Sequence, residues 1–201
     1  MLGGIVRGRR TVLRVPTADD LPSIASWMAD LRVRRACAVW HEPAAAATWK
    51  ERLTEAAKDE KSVLWAIDAS GDGDAGRLVG MCRMTFGWNA PISDSVEPTH
   101  FILDPAEWRK GQGWDAALAL HRYVFDYLHL RRSEIAVRAD NAAALRIAER
   151  LGYREYAHGH AVHWRDGAYV DEIRLRMDLD DWDARWSAER EYEPLPAEAA
   201  R

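Results

Sequence analysis

The stretch "DPAEWRKGQGWDAALAL", residues 104–120, decides how the chain is read. Two glycines, Gly111 and Gly113, stand behind the basic pair Arg109–Lys110 and ahead of a helical apolar pattern. A helix N-terminus presents unpaired N–H groups and the positive end of a dipole, so it attracts anions. Glycine lets the backbone approach a phosphate with no Cβ in the way. The same letters also suit a plain turn between a strand and a helix. They satisfy the dinucleotide spacing G-x-G-x-x-A as well, through Gly111, Gly113 and Ala116, with Asp140 at the end of the next strand. That fingerprint should follow its strand directly, whereas seven residues separate Leu103 from Gly111. A Walker loop fails because no Gly-Lys-Ser/Thr follows.

Outward from this stretch, alternation and turn residues give the element order. "TVLRV" (11–15) reads as a strand, and residues 17–33 as a helix capped by Thr17, with Asp19 and Asp20 favouring its dipole. A second helix starts at Pro43. "SVLWAIDA" and "RLVGMCRMTFG" form a hairpin about the turn 71–76, and residues 96–103 form the strand that feeds the opening motif. After the motif comes a long helix with Ala117, Leu120, Val124 and Leu128 on one face. "SEIAVRA" is a strand, "NAAALRIAERLG" a helix closed by Gly152, and residues 153–177 a hairpin. This order predicts a single α/β (α+β) domain over residues 1–180. Its mixed, mostly antiparallel sheet has six to seven strands flanked by about four helices. Residues 181–201 follow as a short amphipathic helix, marked by Trp182 and Trp186, and a frayed tail.

Composition excludes several classes. A net charge of −4 over 201 residues lacks the basic face that nucleic acid needs, and Arg7–Arg10 and Arg32–Arg35 read as short solvated clusters. No apolar run reaches the roughly 20 residues of a membrane-spanning helix. No signal peptide is evident at "MLGGIVRGRR". Two cysteines, Cys37 and Cys82, make no disulfide framework and fit a reducing compartment. The expected location is therefore cytoplasmic, with no membrane or nucleic-acid partner.

Several blocks together resemble the GNAT acetyltransferases. Their coenzyme A loop, R/Q-x-x-G-x-G/A at a helix start, is matched by Trp108-Arg109-Lys110-Gly111-Gln112-Gly113. Trp in place of Arg or Gln, with Pro105, Lys110 and Gly111, is similar to the ribosomal-protein-alanine branch. "NAAALRIAERLGY" (141–153), "RDGAYVDEIRL" (165–175) and "LRVPTADDLPSIASWMAD" (13–30) resemble further blocks of that branch. The resemblance spans nearly the whole chain. It implies the GNAT fold and direct acetyl transfer from acetyl-CoA to an amine of a small molecule or peptide, by a monomer or homodimer. It also implies that the backbone of 109–114 binds the pyrophosphate, through Arg109, Lys110, Gly111, Gln112, Gly113 and Trp114. Ile102 and Leu103 would bond the pantetheine from the strand, with Asn141 and Arg146 contacting the cofactor from the following helix.

The chemistry needs a base for an ammonium with pKa near 10 and a donor for the oxyanion. Glu97, fourteen residues before Gly111, sits where several family members carry a glutamate base. The alanine branch has it one residue later, at Pro98 here. His100 is the rival candidate. The tyrosine acid of many members falls at Ala148 and is missing; Tyr153 is not an assumed substitute. Trp40, His41, His158 and His160 are candidate acceptor-pocket residues. His158 and His160 share one side of a strand with His163 opposite, but no third convergent ligand is evident, so no metal is expected. Cys37 and Cys82 read as buried small hydrophobes rather than nucleophiles. Two alternatives stay open: an acyl-CoA-binding module with little catalysis, and a transferase of a larger acyl group such as succinyl, which needs a cationic pocket.

Overall fold

The computed structural model describes residues 4–37, 45–70, 76–86 and 94–189, for His100 the backbone alone. Among these residues eight strands form one sheet: β1 (Val6–Arg7), β2 (Thr11–Arg14), β3 (Ser62–Ala69), β4 (Arg77–Phe86), β5 (Ser95–Leu103), β6 (Arg132–Arg138), β7 (Arg154–Arg165) and β8 (Ala168–Asp178). Their order is β1-β2-β3-β4-β5-β6-β8-β7, antiparallel throughout except at β5–β6. The sheet thus has one strand more than the six to seven expected. The addition is β1, a two-residue strand too short to show any alternation.

Among the described residues there are six α-helices rather than the expected four or so: α1 (Leu21–Ala29), α2 (Leu31–Cys37), α3 (Ala46–Ala56), α4 (Gln112–Arg122), α5 (Ala142–Leu151) and α6 (Leu179–Trp186). The segment read as one helix over 17–33 breaks at Asp30, whose backbone is extended. Its carboxylate accepts the Arg32 N–H at 2.8 Å and pairs with the Arg32 guanidinium, which starts α2 as a new helix. Upstream, Asp20 accepts the Thr17 N–H at 2.7 Å and shares the Arg14 guanidinium with Asp68.

Helices cover both faces of the sheet. Ile24, Trp27, Met28, Val33 and Trp49 from α1, α2 and α3 pack on Met81 and Ile102. On the other face α4, α5 and α6 bury the larger core with Trp65, Ile67 and Val79. Ala116, Ala117, Ala119 and Leu120 are buried, and the small alanine side chains let α4 lie close to the strands. A π-turn, Tyr123–Tyr127, extends α4 and buries Val124 and Phe125. Trp182 of α6 is fully buried, stacks on Phe125 at 5.3 Å and donates its indole N–H to Asp126 at 2.7 Å. Among the described residues no helix is long and apolar enough to cross a membrane.

One polar network lies inside the larger core. His121 donates from Nδ1 to the Ala117 carbonyl at 2.7 Å, leaving Nε2 to accept from the Tyr153 hydroxyl at 2.6 Å. Ser133 Oγ lies 2.5 Å from that hydroxyl. Burial pushes the His121 pKa down from 6.5 to about 4, because a charged imidazole would lose its water there. The unfolded chain therefore binds a proton between these values that the native state refuses. The contribution is complete above about pH 6.5, is lost as pH falls toward 4, and flattens below. Denaturant titrations at pH 7 and pH 4.5 are expected to show a loss of about 2–3 kcal/mol from this group. His121→Gln should lack that part of the loss; parallel behaviour of the two proteins would overturn the assignment.

Candidate active site

The site is an interruption in the sheet. β5 pairs with β4 along its length, but its parallel ladder with β6 holds only two pairs, Ser95↔Arg132 and Val96↔Ser133. From Glu97 onward the strands part, while β6 stays paired with β8 as far as Arg138. A wedge of backbone edge opens between β5 and β6, where N–H and C=O groups need other partners. Within it, Met81 pairs with Ile102 but Arg83 with Thr99, so β5 carries one extra residue at 100–101. Such a bulge releases backbone groups from the ladder. Two nearby carbonyls are engaged: Leu103 accepts from the Trp108 indole at 3.0 Å, and Cys37 Sγ is 3.6 Å from the Phe101 oxygen.

At the mouth of the wedge, residues 104–114 are built by local bonds. Asp104 caps the 3-10 turn Pro105–Glu107 through the Ala106 N–H at 2.8 Å. Glu107 is buried and accepts from Arg77, Lys110 and Gln112 at 3.1–3.2 Å. Burial alone would raise its pKa, yet the Arg77 and Lys110 bonds outweigh this and hold it below the ordinary value. Arg109 and Gly111 both adopt left-handed backbone, at φ 66° and 97°, a path that turns successive N–H groups to one side. The first helical bond of α4 runs from Asp115 N to Gly111 O, so the N–H groups of Gln112, Gly113 and Trp114 have no partner within the helix. A Cβ on Gly113 would come within 3.0 Å of Leu103 Cδ1. The Gln112 Oε1 atom is buried without a protein partner. Free N–H groups, absent Cβ and an orphan acceptor suit the phosphates and amides of a nucleotide-linked cofactor.

Residues not singled out from sequence position this loop. Asp115, in the first turn of α4, accepts from the Arg9 and Arg10 N–H groups at 3.0 and 2.9 Å and from Thr11 Oγ1 at 2.7 Å. Arg10 Nη1 donates to the Lys110 carbonyl at 3.2 Å. The basic N-terminal cluster is thus part of the loop's scaffold rather than merely solvated. Its sequence signal was the charge of Asp115 inside an otherwise apolar helix face.

Beside the wedge lies a cleft of about 460 Å³ whose lining includes Arg32, Arg35, Trp108, Arg138, Asn141 and Arg165. The arginines at 32 and 35 are exposed, as expected of a solvated cluster, and also border this cleft. Arg138 donates to Asp140 at 2.9 Å and to the Arg35 carbonyl at 2.8 Å. Asp140 also pairs with Arg165, and Asp166 with Arg35. Asn141 caps α5 through the Ala144 N–H at 3.2 Å, and its amide donates to the Ala36 carbonyl at 3.2 Å. The end of α2 is in this way strapped to the start of α5.

Of the other expected residues, Glu97 sits where β5 and β6 begin to part and is exposed. Loss of water around its carboxyl and the neighbouring Glu134 and Glu172 raise its pKa, against the opposing pull of Arg174. The side chain of His100, and both Trp40 and His41, lie outside the described residues. Arg146 is exposed on α5, and Arg150 lies over the Trp114 ring at 3.8 Å. His158 and His160 do not line the cleft; they meet Asp171 of β8, a third convergent side chain that the sequence alone did not reveal. The Tyr153 hydroxyl is held in the core by His121 and Ser133, away from the wedge. Burial raises both thiol pKa values, Cys37 to about 11 and Cys82 higher, which leaves neither poised as a nucleophile.

The sequence matches the family model of the GNAT acetyltransferase domain over residues 10–154. The chain belongs to the GNAT acetyltransferases, a family that uses acetyl-CoA. Solved structures share the fold at low identity. A GNAT-family acetyltransferase from Bacillus anthracis superposes with a TM-score of 0.73 at 15% identity, covering 88% of this chain and 99% of that one. The spermidine N-acetyltransferase of Vibrio cholerae, in complex with CoA and spermine, gives 0.73 at 19%, covering 86% and 98%. A candidate ribosomal-protein-serine acetyltransferase from Vibrio cholerae gives 0.63 at 17%, covering 87% and 97%. No curated protein matches.

Proposed function

We propose that the protein transfers an acetyl group directly from acetyl-CoA to a primary amine, of a small molecule or of a protein N-terminus. The observation that carries this reading is the wedge between β5 and β6 with the left-handed glycine loop and the α4 N-terminus at its mouth. In this reading the backbone of 109–114 receives the pyrophosphate, with Arg109, Lys110 and Gln112 beside it. Lys110 acts partly through Glu107, which fixes its ammonium. The β5 backbone around Ile102 and Leu103 lies along the pantetheine, bonding through groups other than the Leu103 carbonyl that Trp108 occupies. Asn141 and Arg146 approach from α5. Glu97 takes the proton that the ammonium must lose.

The test is CoA release with a panel of amines, including polyamines and peptides with free N-termini. Glu97→Gln is expected to lower kcat by about 100-fold with little change in KM for acetyl-CoA. An unchanged rate would move the role to His100, tested by His100→Gln. Binding of acetyl-CoA without turnover of any amine would instead support a non-catalytic acyl-CoA module.

The arginine-lined cleft favours one second reading: a larger, carboxylate-bearing acyl group such as succinyl. Four guanidinium groups border the cleft, each already paired with an aspartate, and Asp140 lines it too, so a ligand carboxylate would take its place by exchanging with these partners. Faster CoA release from succinyl-CoA than from acetyl-CoA supports that reading. The reverse order retains acetyl.

A further inference from the structure

His158 and His160 stand two apart on β7, where a bulge changes what they face. The register runs from Gly159↔Glu172 directly to His163↔Val170, so β7 carries two residues more than β8 between these pairs. Ala161 absorbs the excess in left-handed backbone at φ 53°. Gly159 is required at the start of the bulge, because a Cβ there would lie 2.7 Å from Val162 Cγ2. The bulge leaves Asp171 of β8 without a ladder partner. It shares a face with Ile173, the residue paired to His158, and so projects diagonally toward that histidine.

Asp171 and His158 are each oriented by a second contact. Asp171 Oδ1 accepts the Ala161 N–H at 2.9 Å, which turns Oδ2 toward the histidines. That oxygen is 2.8 Å from His158 Nε2 and 3.3 Å from His160 Nδ1. The two rings are 4.6 Å apart between centroids, and the three ligand atoms lie within 4.8 Å of one another. His158 Nδ1 faces Glu155 Oε1 at 3.3 Å, an acceptor that holds the ring proton on Nδ1 once a cation displaces the proton between Nε2 and Asp171 Oδ2.

We propose that His158 Nε2, His160 Nδ1 and Asp171 Oδ2 form a binding site for one zinc-class transition cation. Bonds of about 2.0–2.1 Å in a tetrahedron place ligand atoms roughly 3.4 Å apart, so the 2.8 Å pair of His158 Nε2 and Asp171 Oδ2 opens by about half an ångström while the two ring nitrogens, which lie within 4.8 Å, settle to the same spacing. Two imidazoles and one carboxylate select Zn²⁺, Co²⁺ or Ni²⁺ over Mg²⁺ and Ca²⁺, which require oxygen cages. The exposed side of the cluster leaves the fourth position to water. The bound cation joins the bulge of β7 to β8, on the hairpin that contributes Arg165 to the arginine-lined cleft.

Calorimetric titration of the untagged chain with Zn²⁺, in a Cys37→Ser background to remove the half-buried thiol, is expected to show one saturable equivalent. Co²⁺ should develop the visible bands of a four-coordinate site, and Mg²⁺ should give no binding. Asp171→Asn is ambiguous because Asp171 also holds the bulge. His160→Ala is the deciding variant, since that side chain is 82% exposed and its loss leaves the fold, checked by circular dichroism, intact. It should weaken Zn²⁺ by at least about tenfold and abolish the Co²⁺ bands. Absence of saturable binding to the parent protein, or equal affinity in the His158→Ala/His160→Ala double variant, would overturn the site.

Discussion

Gly113→Val is expected to abolish acetyl-CoA binding while leaving a folded protein. A Cβ at this position meets Leu103 Cδ1 at 3.0 Å, and valine's methyl groups extend further into the space over the loop. Leu103 is a flexible side chain that can retreat, and the substitution falls in the first turn of α4, so the stability cost should stay near 1 kcal/mol. Affinity is different, because the backbone N–H groups of 112–114 must touch the ligand directly. Loss of about 3 kcal/mol, roughly 100-fold or more in Kd, is the expected result by calorimetry. Gly111→Val adds a second cost of about 1–2 kcal/mol for forcing a branched residue to φ 97°. CoA affinity within threefold of the parent in either variant would refute the loop assignment.

Asp115→Ala should destabilise the whole protein by about 3–5 kcal/mol, since removing one buried partner strands each donor that it satisfied at about 1–3 kcal/mol. The donors are the Arg9 and Arg10 N–H groups and the Thr11 hydroxyl, contributed by the β1–β2 turn. Gly8→Ala should do comparable harm, because a Cβ there would lie 2.2 Å from Asp115 Oδ2. For a domain of this size the Asp115→Ala loss lowers Tm by about 10 °C. Urea unfolding measures both. A change below about 1 kcal/mol would show that the turn is held otherwise.

The strand–turn–helix at 96–124 was legible because its signal is local: glycine spacing, a preceding strand and a helical pattern. The order of longer strands was legible for the same reason. The pieces that escaped depend on residues brought together from far apart. Asp115 meets Arg9 and Arg10 across more than a hundred positions, and Asp171 meets His158 only because a two-residue bulge rotates the pairing. The arginines at 32 and 35 are solvated as their sequence suggests, but their place on the cleft rim depends on the break at Asp30 that aims α2 at the start of α5. Cys82 is buried as its residue type suggests, whereas Cys37 is only half-buried.

The parting of β5 from β6 has a mechanical consequence. Strands β1–β5 form one plate and β6, β8 and β7 another, and only two residue pairs knit the plates together. The rest of the seam is carried by helices laid across it and by the α2 strap on Arg138 and Asn141. A ligand lying in the seam stands in for the missing ladder and so acts as a splint between the plates. Amide protons bordering it, on Thr99–Leu103 and Ala136–Arg138, should exchange more slowly with acetyl-CoA present, while those between β3 and β4 keep their rates.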